Sequence, residues 1–194
     1  MAVTMVLCAL TLLVACSQPA PPKPAEAPSQ PAAPAVPPEI ASVAQSVLGS
    51  DAEVLVFGDL ARTGQQQVLV VNRLPRTPPG TVPGILVTRA VVAENDGGKW
   101  REVFRCDEHL KNPNGFLGGT PIAPVTGWRL QYEQNPEKGL LLFFTPLEQP
   151  SGGHVSTIGV RWNPKVKRYQ SLDRNFENFL GELPALERAN SRLK

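Results

Sequence analysis

The clearest pair of residues able to do chemistry in this sequence is Cys106 with His109, three positions further on. Nucleophilic catalysis by a thiol needs an activated thiolate, a base within hydrogen-bond reach and a third group that orients the base. Cys106 is in phase with Trp100 and Phe104 on a predicted strand, and this pattern favours a buried, unreactive thiol. We therefore predict no catalytic residue, and a Cys106/His109 thiol hydrolase is the least favoured alternative.

A metal site is the second chemistry that this segment suggests. The sequence has only two histidines, His109 and His154, and Cys106 is the nearby cysteine. A structural zinc ion needs four ligands, usually as two closely spaced pairs, and here only one pair has such a spacing. We therefore predict neither a bound metal nor another cofactor.

A cluster of basic and aromatic residues is the best candidate for a binding surface. It lies on two predicted strands joined by Asn163-Pro164-Lys165 and consists of Arg161, Trp162, Lys165, Lys167, Arg168 and Tyr169. Basic side chains interleaved with aromatic rings fit anionic lipid headgroups or a polysaccharide, with cation–π support. The alternative, which the sequence favours, is an edge hairpin whose lysines prevent pairing with other chains.

A long irregular loop over residues 112–124 is the second candidate, because long loops in compact domains often carry binding function. Its apolar residues Phe116 and Leu117 would either contact a small ligand or cover one end of the sheet. Nucleic acid is excluded as a partner, since 19 Lys and Arg against 17 Asp and Glu leave a net charge of only +2.

The N-terminus has the features of a secretion signal. An apolar run of 11 residues, Met5 to Ala15, ends at Cys16 and has the length of a signal-peptide core. Leu13-Val14-Ala15-Cys16 resembles the lipobox of bacterial lipoproteins. The resemblance implies that residues 1–15 are a signal peptide, that the Cys16 thiol receives a diacylglyceryl group, and that cleavage precedes Cys16. In the Gram-negative families an Asp after the cysteine retains the protein in the inner membrane, so Ser17 implies the outer membrane, facing the periplasm.

Residues 16–38 are predicted to be a disordered tether behind this lipidated cysteine. Nine of the 21 prolines lie between Ser17 and Pro38, and the largest apolar side chain there is Val36. Such a segment cannot bury enough surface to fold, and it takes extended conformations of about 3.1 Å per residue.

Residues 39–194 are predicted to be a single β-rich domain with a short N-terminal helix. Pro38 suits the first turn of this helix, and Gly49 is placed to end it. About eight antiparallel strands in hairpins follow, in a sandwich, an open barrel or a partial propeller. The predicted strands are Glu53–Asp59, Gln66–Arg73, Gly84–Glu94, Lys99–Cys106, Gly127–Gln134, Leu140–Thr145, His154–Trp162 and Lys167–Leu172.

Four of these strands, in two hairpins, carry a partial resemblance to a known motif. Phe57-Gly58-Asp59-Leu60, followed by Gly64 and Val68-Leu69-Val70-Val71, resembles one FG-GAP (VCBS-like) hairpin of a β-propeller blade. Val91 to Phe104 is similar to the accompanying outer hairpin. The calcium-binding turn of that family strings several Asp or Asn together. Here Leu60, Ala61, Arg62 and Thr63 follow Asp59, and Arg62 puts a positive charge where the cation would lie, so calcium binding is not implied.

Together these patterns predict a lipid-anchored protein of the bacterial cell envelope. Its membrane contact is the lipid on Cys16, and its β-rich domain is predicted to be a non-catalytic binding or assembly module for an envelope protein or glycan. The alternatives are a small-ligand or glycan binder of the envelope and the thiol hydrolase.

Overall fold

One helix and ten strands make up the part of the chain that the computed structural model describes, which is residues 35–75, 84–112, 115–116, 124–147 and 156–182. The helix is α1 (Pro38–Leu48). The strands are β1 (Ala52–Gly58), β2 (Gln67–Arg73), β3 (Ile85–Asp96), β4 (Lys99–Cys106), β5 (Leu110–Asn112), β6 (Gly115–Phe116), β7 (Trp128–Asn135), β8 (Gly139–Pro146), β9 (Ile158–Asn163) and β10 (Arg168–Ser171).

The predicted fold class, mainly antiparallel β with a short N-terminal helix, is confirmed. All eight predicted strands are present, and the two additional ones are the short strands β5 and β6. These were missed because three and two residues are too short to show an alternating pattern.

Helix α1 follows the predicted amphipathic pattern. Its residues Ile40, Val43, Ala44 and Leu48 are buried, and the Gly49 N–H closes the last turn on the Gln45 carbonyl at 2.8 Å. No helix within the described ranges is long and apolar enough to cross a membrane.

The sheet divides at β3, because two strands share one of its edges. Val87 pairs with Arg73 of β2 on one side and with Trp128 of β7 on the other. Ala90 pairs with β2 and with Cys106 of β4. Strands β4 and β7 therefore lie one after the other along the same edge, opposite β2. The result is one open ten-stranded sheet with two arms, β1 to β6 and β7 to β10.

The two arms pack on each other through the main hydrophobic cluster. The Phe104 ring of β4 contacts Phe144 of β8 and Tyr169 of β10, with centroid distances of 5.4 and 6.3 Å. A second cluster joins α1 to the opposite face of β2 and β3. Val68 and Val70 belong to this second cluster and Leu69 belongs to the main one, so all three side chains are fully buried. Both clusters belong to the compact unit that begins at Ala35, so this unit carries its own core.

A chain of polar groups, most of them buried, connects the two arms. The Tyr169 hydroxyl donates to Gln67 Oε1 at 2.9 Å, and Gln67 Nε2 donates to Glu94 Oε2 at 2.7 Å. Arg101 Nη2 donates to the other oxygen of Glu94 at 2.5 Å. Gln67 and Glu94 are 0% and 3% exposed, so these bonds satisfy groups that water cannot reach. Burial, together with the charge of Glu94, raises the pKa of Tyr169 well above its ordinary value, so its hydroxyl stays protonated and can donate.

The β1–β2 loop contacts the second arm through a glycine. The Leu140 N–H donates to the Leu60 carbonyl at 2.7 Å, and a Cβ added to Gly139 would lie 2.5 Å from that oxygen. Gly139 also has a φ of +75°, a conformation that favours glycine. This close approach ties the loop to the β7–β8 turn.

We expect Tyr169→Phe to lower the free energy of unfolding by about 1–3 kcal/mol, because Gln67 loses its donor in a place that water cannot reach. Urea denaturation of residues 35–194 measures the change. The matched control is Tyr132→Phe, since Tyr132 is 37% exposed and its change should stay within about 0.5 kcal/mol. Equal effects of the two variants would show that the buried polar chain does not stabilise the fold.

We expect Gly139→Ala to destabilise the unit by about 1–3 kcal/mol more than Gly64→Ala, because only the first change places a methyl group against a backbone oxygen. Gly64 is the matched control: its φ of +79° is nearly the same, but nothing lies within 4 Å of its added Cβ. The same denaturation experiment compares them, and equal losses would mean that the loop moves away at little cost.

Candidate functional site

The aromatic members of the predicted basic cluster lie in the core. Trp162 of β9 and Tyr169 of β10 are register partners, and they are 8% and 0% exposed. Their rings pack edge to face at a centroid distance of 5.5 Å. Strand alternation therefore points the two rings inward, and the basic residues between them lie on the opposite face or in the turn. The structure does not bring rings and charges together on one surface, so neither ring is available to stack on a ligand.

Arg161 lies on the outer face of β9 and holds the C-terminal segment. Its guanidinium is 4.9 Å from the centre of the Phe179 ring, and its Nη2 donates to the Glu177 carbonyl at 2.9 Å. Phe179 itself is buried and bridges to Leu172. The charge of Arg161 is thus used in part to fasten residues 172–182 to the sheet.

Phe176 occupies the outer face beside this contact. Its ring lies 5.7 Å from that of Phe143, and a Cβ added to Gly159 would overlap the Phe176 ring. Asp173 holds the backbone here by accepting N–H groups of Asn175 and Glu177, which fixes Phe176 at a φ of +57°. Residues 172–182 therefore form a coil that covers β8 and β9.

The turn between β9 and β10 is the exposed part of the predicted cluster. The Lys165 side chain is 76% exposed and lies 3.3 Å from Glu182. Val166 is 43% exposed, Lys167 is exposed, and Arg168 Nε donates to the Val166 carbonyl at 3.4 Å. A valine at the tip of a hairpin, between two lysines, is the feature that sequence reasoning missed. The signal was present, because Asn163-Pro164 marks the turn and Val166 lies inside it.

Asn163 stabilises the shape of this turn from below. It is only 2% exposed, its Oδ1 accepts the Lys165 N–H at 3.0 Å, and its Nδ2 donates to Gln170 Oε1 at 2.7 Å. Lys167 completes the turn with a φ of +50°. The backbone that carries the tip residues Lys165, Val166 and Lys167 is thus hydrogen-bonded to the buried side chain of Asn163.

Cys106 is buried in the main core. It is 0% exposed, pairs with Leu110 across the β4–β5 turn, and its Sγ is 3.9 Å from the Asp107 carbonyl. Burial, with a smaller contribution from the charge of Asp107, raises the pKa of this thiol well above its ordinary value. A thiol held this way carries little thiolate near neutral pH, which is the opposite of what a nucleophile needs.

The geometry of residues 106–110 is that of a stabilised turn. The Asp107 N–H donates to the His109 carbonyl at 3.1 Å, and the His109 N–H donates to Asp107 Oδ1 at 3.2 Å. The Trp128 indole donates to the Asp107 carbonyl, and Lys111 forms an ion pair with Asp107 at 3.0 Å. Asp107 thus serves the fold of the turn.

No group of three or more His, Cys, Asp or Glu side chains in the described ranges is arranged to hold a metal ion. The Asp59 carboxylate accepts the N–H groups of Thr63 and Gly64 at 2.8 and 3.0 Å, so it stabilises its own turn. His154, the third residue considered for a metal, lies outside the described residues.

Several predicted site residues fall outside what the structure describes. These are Cys16 with the rest of residues 1–34, and Leu117 in the long loop; for Phe116 only the backbone of β6 is described. Comparison with known proteins finds no matching family model, no matching curated protein and no matching solved structure. The lipobox and FG-GAP resemblances therefore stay predictions from the sequence.

We expect Cys106 to resist alkylation by iodoacetamide near neutral pH, reacting about a hundredfold or more slowly in the native unit than in denaturant. The reason is its complete burial and raised pKa. In residues 35–194 it is the only cysteine, so mass spectrometry reports this site alone. A Lys138→Cys variant supplies an exposed thiol as the control. Rapid labelling of native Cys106 would contradict the prediction and revive the thiol hydrolase.

Proposed function

We propose that this protein is a lipid-anchored protein of the bacterial cell envelope, whose β-rich unit is a non-catalytic module that binds or assembles with another envelope component. The observation that carries this proposal is the order of features along the chain: an apolar run, the lipobox-like Leu13-Val14-Ala15-Cys16 and a Pro/Ala-rich segment. The described compact unit, which begins at Ala35, follows directly.

The proposed anchor would hold the folded unit close to a membrane. Each buried lipid methylene contributes about 0.8 kcal/mol, so a diacylated cysteine holds a protein stably on a membrane. The predicted tether is rich in proline, and its residues before helix α1 would reach several tens of ångströms if they were extended. A folded unit on such a tether searches the volume close to its own membrane, where it meets the components that it binds.

The non-catalytic part of the proposal is supported by how the described residues use their chemical groups. The Cys106 thiol lies in the core, and the carboxylates of Asp59 and Asp107 accept backbone hydrogen bonds of their own turns. The carboxylate of Glu94 joins Gln67 to Arg101 inside the protein. These groups therefore stabilise the fold of the described residues.

Lipidation is tested by expressing the full chain in a Gram-negative bacterium fed an alkyne-bearing fatty acid. We expect Cys16→Ala to lose the label and to accumulate as a longer, unprocessed form, because the sulfur that accepts the diacylglyceryl group is absent. The matched control is Cys8→Ala, which removes the other N-terminal cysteine and should leave labelling and processing unchanged. Density-gradient separation of the membranes should place the labelled protein with the outer membrane.

The proposal fails if the wild-type chain carries no label and is released in soluble form, or if the label is lost in Cys8→Ala and kept in Cys16→Ala. Labelled protein in the inner membrane would retain the anchor but overturn the outer-membrane assignment.

A further inference from the structure

We propose that the β9–β10 turn, residues 164–168, binds the surface of membranes that contain anionic lipid headgroups. The inference rests on the proposed function, since it names the component that the anchored unit contacts. It starts from the juxtaposition of an exposed apolar side chain with flanking cations at the tip of one hairpin.

The apolar part of the tip is Val166. It is 43% exposed and is one of four large apolar or aromatic residues at the surface of the described ranges. Lys165 and Lys167 stand on either side of it, and both are exposed. An apolar side chain flanked by cations suits the membrane interface: the apolar group can enter the boundary between headgroups and acyl chains while the cations contact phosphates. A water-soluble polysaccharide offers no apolar phase to receive the valine.

The charge of the tip complements an anionic surface. Lys165 and Lys167 are exposed, whereas Arg168 is half-buried and its Nη1 is buried; Glu182 beside Lys165 offsets one of the three charges. The surface potential of anionic lipids acts within roughly a Debye length, about 8 Å at physiological salt, so lysines at the tip of a turn that touches the membrane would lie within its range.

Two other roles, protection of a sheet edge and recognition of a sugar, agree less well with the positions of the cations in this turn than contact with a lipid surface does. Protection of an edge strand requires charges on the strand itself, and β10 begins only at Arg168, so Lys165 and Lys167 stand beyond it. Sugar recognition by aromatic stacking requires exposed rings, and both Trp162 and Tyr169 are buried. The turn also has a supported shape, because Asn163 accepts the Lys165 N–H.

A weak contact is sufficient for an anchored protein. A tether raises the effective concentration of the turn at its own membrane, so a site with low affinity in free solution is occupied when the chain is attached. The turn would then determine which face of the unit lies toward the membrane and which face is presented to partners.

The test is sedimentation of residues 35–194, without any lipid, with vesicles of phosphatidylglycerol and phosphatidylcholine. We expect binding that weakens with added salt and is absent on pure phosphatidylcholine. Lys165→Gln and Lys167→Gln should each reduce the partition coefficient about fivefold.

Val166→Ser should also reduce the partition coefficient. Glu182→Gln should increase it, because this change removes the carboxylate that offsets the charge of Lys165. The matched control is Lys138→Gln, an exposed lysine in the β7–β8 turn, which should not change it. Unchanged thermal unfolding verifies that each variant folds.

Insertion is measured separately with a polarity-sensitive dye attached to Val166→Cys. Its emission should shift to the blue on anionic vesicles, while the same dye on Lys138→Cys should not respond. The proposal is overturned by equal binding to neutral vesicles, by equal loss in Lys138→Gln, or by no binding. It is also overturned if the wild-type protein binds no vesicles but is retained on a lipid-free acidic polysaccharide or on an envelope protein, and the tip variants lose that retention. None of these outcomes involves Cys16, so failure here is distinct from failure of lipid attachment.

Discussion

One edge of β3 is shared by two strands, because β4 pairs with its last half and β7 with its first three residues. Two strands placed end to end along one edge cannot continue as a flat sheet, since each carries its own twist and its own further partners. The arms diverge, turn toward each other and bury their inner faces together. Strands β2 and β3 are covered on their other face by α1, which explains why Val68 to Val71 are all fully buried.

The buried polar chain from Tyr169 to Arg101 operates within this constraint. Its first hydrogen bond joins residues 102 positions apart, from the last strand to the second. A buried amide and carboxylate would be costly alone, but each has partners here, and only one pairing of the arms supplies them. The chain therefore favours one alignment of the two arms over others that apolar contacts alone would allow.

The outer surface of the second arm follows from the same packing. Trp162 and Tyr169 lie in the core, so the hairpin exposes only the outward-facing residues of β9 and β10 and the turn between them. Residues 172–182 cover part of that face through Phe176 and the Arg161–Phe179 contact. The tip with Val166 stays exposed, and Phe176 of the covering segment is itself 38% exposed.

Local pattern in the sequence determined the β-rich class, the helix from Pro38 to Leu48 and eight of the ten strands, because periodicity and turn residues are properties of neighbouring positions. Partners far along the chain decided the rest. A β-bulge between Val92 and Ala93 shifts the phase of β4, so Trp100 packs with the α1 cluster and Phe104 with the main core, although alternation predicted one face for both. Likewise, aromatic and basic residues that alternate in the sequence separate onto opposite faces. Which face is inside depends on what packs against it, and that is a property of the folded chain alone.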